Sequence, residues 1–100
     1  MRNLGKDFSE KKICVKVENI GQINNLSDVV NNWLFEDTHV IISKMYHGVY
    51  GDLFRKGYEL SMGITDGYAE ILSDNYFKEN GYEQVSYKEF IQNLRENWGD

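Results

Sequence analysis

The first sustained pattern along the chain is an alternation at "KICVKVE", where Ile13, Val15 and Val17 interleave with Cys14, Lys16 and Glu18. Apolar residues at a period of two mark a half-buried strand, so this is the expected first strand. The period changes after "NIG". Ile23, Leu26, Val29, Val30, Trp33 and Leu34 fall on one helical face, opposite Asn24, Asn25, Ser27, Asp28, Asn31 and Asn32, which predicts an amphipathic helix. Asparagine is a poor helix former, so this helix must depend on packing rather than on propensity. Val40 to Ile42 is a short β-branched run bounded like a strand, and it is the expected second strand.

"HGVYGDLFRKG" places glycines at 48, 51 and 57 around Val49, Tyr50, Leu53 and Phe54. It reads as a loop with one short helical turn. Two β-prone runs, roughly Tyr58 to Ile64 and Tyr68 to Ser73, then flank "TDG". Asp-Gly is a strong signal for a tight hairpin, and no proline interrupts the ladder.

The closing stretch "DNYFKENGYEQVSYKEF" is rich in punctuation. Asp74 is expected to cap a helical turn through "NYFKEN", and Gly81 stands where a helix ends in a left-handed residue. Tyr82 to Val85 predicts a short strand. Ser86 and Glu89 form a capping box for a last helix striped by Phe90, Ile91, Leu94 and Trp98.

Residues 1–11 are polar and without a sustained period, and they read as a flexible arm ahead of a single domain over 12–100. The expected fold class is α+β: a small antiparallel or mixed sheet of about four to five strands packed against an N-terminal-half helix and a C-terminal helix.

Composition narrows the function. One hundred residues support one core, and 41% hydrophobic and 14% aromatic residues are ample to build it. No apolar run reaches membrane-spanning length, and "MRNLGKDFSEKK" lacks the apolar core of a secretory signal, so a cytoplasmic location is expected. Cys14 is the one cysteine, which excludes an intrachain disulfide and a thiolate zinc cluster. A net charge of -5 repels phosphate backbones, so direct nucleic-acid binding is not expected. The carboxylates are interspersed, as on an ordinary solubilising surface, rather than set in the dense rows of a nucleic-acid mimic.

Candidate chemistry is sparse. His39 and His47 are eight residues apart and match no compact metal spacing. Cys14 has no histidine partner in view, and the glycines form neither GxGxxG nor a phosphate loop. Asp66 and Glu70 bracket the hairpin turn, where paired acids are ordinarily solvated. The sequence therefore predicts no enzyme, metal or cofactor.

Aromatic rings are the stronger signal. Tyr46, Tyr50, Phe54 and Tyr58 recur every four residues, and such rings anchor protein interfaces because they bury much area for little rotamer entropy. With Asp52, Asp66, Tyr68 and Glu70 they make the expected binding surface. The alternative is that these rings form the outer wall of a small core.

The order of elements and the ending "YFKENGYEQVSYKEFIQNL" resemble small accessory proteins of bacteriophages of Gram-positive bacteria, the matching positions being Tyr76, Gly81, Tyr82, Ser86, Glu89 and Phe90. The resemblance is specific over the last quarter of the chain, and Lys44 to Lys56 departs from it. It implies an anti-CRISPR or other anti-defence inhibitor that binds a host defence protein or nuclease complex, as monomer or homodimer. Two other readings are a binder that sequesters a cyclic nucleotide, with Arg55 or Lys56 on the anion, and a phage subunit that assembles through its last helix.

Overall fold

The computed structural model describes residues 3–30, 44–65 and 68–98, the side chains of 44–48, 68 and 98 excepted. Their order is α1 (Leu4–Ser9), β1 (Ile13–Val17), α2 (Ile20–Val29), α3 (Lys44–Arg55), β2 (Leu60–Thr65), β3 (Tyr68–Ser73), α4 (Asp74–Glu79), β4 (Glu83–Val85) and α5 (Tyr87–Trp98). The strand expected at Val40 to Ile42, and the helix end carrying Trp33 and Leu34, lie outside the described residues.

The sheet is mixed, with strand order β3-β2-β1-β4. β2 pairs antiparallel with both β1 and β3, whereas β4 runs parallel to β1. The α+β fold is therefore the one that the sequence predicts. Val15 lies opposite Met62 and Val85, and Met62 opposite Ile71, so one face is apolar across all four strands. Ile23 and Leu26 of α2, Phe90 and Leu94 of α5, and Leu4 and Phe8 of α1 close over that face as the main core.

The other face is not left to solvent. All six residues of β2 are buried, because Ser61, Gly63 and Thr65, alternating with Leu60, Met62 and Ile64, are small enough for α4 to sit close. Phe77 of α4, fully buried, covers Gly63 and Cys14, and Tyr82 packs edge-on to it with ring centroids 5.0 Å apart. In the hairpin, Tyr68, Glu70 and Leu72 pair with Thr65, Gly63 and Ser61 and so belong to this second face, while Leu60 and Met62 belong to the main core.

Three corrections to the sequence reading follow. Residues 3–9 are not a loose arm: Asn3 caps α1 by accepting from the Lys6 N–H at 3.0 Å. Leu4 and Phe8, one turn apart, bury against α5, and the Phe8 and Phe90 rings meet at 5.4 Å. The segment 44–55 is a helix of 12 residues rather than a loop with one turn. Tyr50, Leu53 and Phe54 stand on one helical face packed against the core, and that burial outweighs a cost of about 1 kcal/mol per internal glycine.

The third correction concerns Asp74. The cap of α4 is Ser73, whose hydroxyl accepts from the Tyr76 N–H at 3.2 Å. Asp74 is buried instead.

Three of the helices end by one device. α3 and α4 terminate in Gly57 and Gly81 at positive φ, with Tyr58 N–H donating to the Leu53 carbonyl and Tyr82 N–H to the Phe77 carbonyl. Each is a Schellman closure. α1 closes the same way through Lys12 and Asp7, with Lys11 held at φ 62 where glycine is usual. Ser86 opens α5 as expected, accepting from the Glu89 N–H at 3.0 Å.

Candidate binding surface

The expected surface divides when placed on this framework. Tyr50 and Phe54 pack against the core and are half-buried, so their spacing of four marks the inner stripe of α3. Asp52 is on the outer side and pairs with Arg55 one turn on. The guanidinium expected to hold a nucleotide anion is thus exposed, with a carboxylate of its own helix beside it. The side chains of Tyr46 and Tyr68, and Asp66 altogether, lie outside what is described.

What stands free is carried by the β2–β3 hairpin and its base. Tyr58 is 56% exposed, and Glu70 projects from β3 opposite Gly63. At the open end of the hairpin the Asp74 N–H donates to the Glu59 carbonyl at 3.1 Å, which extends the ladder by one pair and ties the two segments together. A recess of about 240 Å³ forms there, lined by Gly57, Tyr58, Glu59, Ser73, Asp74 and Asn75. Tyr76, 42% exposed, follows on α4.

Glu59 and Asn75 were not singled out by sequence, although the hairpin register itself brings Glu59 beside Asp74. From Gly57 to Phe77 the chain has the carboxylates Glu59, Asp66, Glu70 and Asp74 and no lysine or arginine.

Behind the recess lies a partly buried polar chain. Gln84 donates to the Ser61 hydroxyl at 3.1 Å, Ser61 donates to Asp74 Oδ1 at 2.6 Å, and the Lys16 ammonium meets Asp74 Oδ2 at 2.7 Å. Burial pushes the Asp74 carboxyl up, but the hydrogen bonds from Lys16, Ser61 and Gln84 together outweigh it and hold the group below its ordinary 3.8. Burial is also the main reason that the neighbouring Cys14 thiol is raised, with the Asp74 charge adding to it. A raised, buried thiol is poorly nucleophilic, so this chain fastens α4 to β1 and β2 rather than preparing an attack.

A second concavity of about 330 Å³ runs between β4 and α5, and Glu83, Glu89 and Glu96 stand along it. Among the described residues, no three His, Cys, Asp or Glu side chains gather as a metal ion would require, and no helix is long and apolar enough to cross a membrane. Comparison with known protein families, with curated proteins and with solved structures finds no match.

Proposed function

We propose that this chain is a non-enzymatic binding protein, an anti-defence inhibitor of the anti-CRISPR kind, that occupies the basic nucleic-acid groove of a host nuclease complex. The observation that carries the reading is the absence of any lysine or arginine from Gly57 to Phe77, a stretch that presents Tyr58, Glu59 and Glu70 to solvent. Carboxylates around an exposed aromatic ring complement a groove built to hold phosphates, and steer the two proteins together at low salt. The resemblance of "YFKENGYEQVSYKEF" to phage accessory proteins supplies the biological setting.

The test is size-exclusion mixing of the chain with purified defence nucleases at low salt, followed by competition with their nucleic acid. Co-elution and displacement of the nucleic acid are expected. If none of the nucleases co-elutes, the reading falls.

A further inference from the structure

The hairpin presents more than side chains. β3 is the outermost strand of the order β3-β2-β1-β4, and no described strand pairs with its far edge. Its register with β2 is one-to-one over six pairs, so no bulge turns the edge away. Which backbone groups face outward follows from the bond between Asp74 N–H and Glu59 C=O. Hydrogen-bonded pairs alternate along an antiparallel ladder. The pair Glu59 and Asp74 is bonded, so Leu72, Glu70 and Tyr68 turn their N–H and C=O toward β2. Ala69 and Ile71 turn both groups outward. Ser73 turns its N–H outward.

An edge of this kind templates pairing with another strand, and proteins ordinarily blunt it with lysine, proline, a bulge or very short length. "YAEILS" carries no lysine or proline, and its six residues include the strand formers Tyr68 and Ile71. Among the described residues the edge is therefore open, and the one charge on it is Glu70.

Charge selects the occupant. A second copy would bring the same acidic hairpin and a net charge of -5 against itself. An extended segment carrying lysine or arginine finds the exposed Glu70 at the middle of the strand, while the one cation near it, Lys16, is held by Asp74 and Glu59 at the hairpin base.

We propose that the β3 edge binds by strand addition, taking an extended basic segment of the partner protein whose backbone pairs with Ala69, Ile71 and Ser73 and whose lysine or arginine side chains face Glu70. This rests on the reading that the hairpin surface binds a protein, and it adds the mode of contact and the chemistry of the bound segment.

The experiment uses the full chain and a short synthetic peptide alternating lysine and valine. Expected results are slowed amide hydrogen exchange at Ala69, Ile71 and Ser73, weaker binding by Glu70→Lys, and no binding of a peptide alternating glutamate and valine. N-methylation of the peptide backbone keeps the charge but removes the donors. It should weaken binding roughly thirtyfold or more through the loss of two or three backbone hydrogen bonds.

Equal affinity of the N-methylated peptide, slowed exchange at Gln84 instead of β3, or a dimer of the chain paired through β3 would each overturn the inference. Those failures leave co-elution with a nuclease untouched, and loss of co-elution leaves the peptide result untouched.

Discussion

A methyl group on Gly63 would lie 2.7 Å from Cε1 and 3.1 Å from Cζ of Phe77, with the Cβ of Cys14 at 3.3 Å. Glycine is thus required at the centre of β2 by the ring above it and not by its backbone angles. Gly63→Ala should cost about 1–3 kcal/mol through overpacking, read as a lower urea midpoint. Phe77→Leu in the Gly63→Ala background should recover part of that loss. If Gly63→Ala alone leaves the midpoint unchanged, the close packing of α4 on the sheet is refuted.

The buried carboxylate gives stability a direction in pH. The folded Asp74 titrates below its ordinary 3.8, so its contribution is complete above about that value and is lost as pH falls through the lower folded value. Asp74→Asn should be destabilised near neutrality by about 1–2 kcal/mol, since half-buried Lys16 loses the nearer of its two carboxylates and keeps only Glu59 at 3.8 Å. Its loss of stability on acidification below pH 3.8 should also be shallower than that of the unmodified chain. Parallel curves would show that Asp74 is not the titrating group.

Lys11 pays the steric penalty of a left-handed residue at the end of α1, at φ 62. Lys11→Gly should raise stability by roughly 1 kcal/mol, the strain at such a site being about 1–2 kcal/mol for an L-residue. A fall in melting temperature would indicate that the lysine side chain contributes more there than the backbone loses.

The two tyrosines that bracket Phe54 should separate by readout. Tyr50→Ala removes a ring packed on the core and should cost about 2–3 kcal/mol of stability. Tyr58→Ala should change stability by less than about 0.5 kcal/mol, because that ring is 56% exposed. Nuclease co-elution should weaken in Tyr58→Ala. Intact co-elution there, with full stability, would remove Tyr58 from the surface.

These contrasts locate what the sequence could convey. β1, the hairpin, Gly81 and the Ser86 cap were legible because each depends on neighbours within a few positions: a period of two, an Asp-Gly pair, a left-handed glycine, a hydroxyl three residues from an N–H. α1 was not, because its buried positions are Leu4, Gly5 and Phe8, only two of them apolar side chains, and its terminator is Lys11 rather than glycine. α3 was obscured by Gly48 and Gly51, although Tyr50, Leu53 and Phe54 already stood at helical spacing.

At the candidate surface the spacing of four that joins Tyr50 to Phe54 marks the inner face of α3, whereas Tyr58, the next ring at that spacing, lies past the helix end and is exposed. In sequence Asp74 resembles a cap because its partner Lys16 is 58 positions away. No local pattern shows such a pairing.

The parallel pairing of β1 with β4 bears on the order of assembly. The hairpin closes across a two-residue connection and is free to form within microseconds. By contrast, β1 finds its outer neighbour only at Glu83–Val85, and the Leu4 N–H finds Asn93 Oδ1 across 89 positions. Loop-closure entropy makes such distant contacts late. During synthesis β1 therefore waits with one flank uncovered until β4 and α5 have been made.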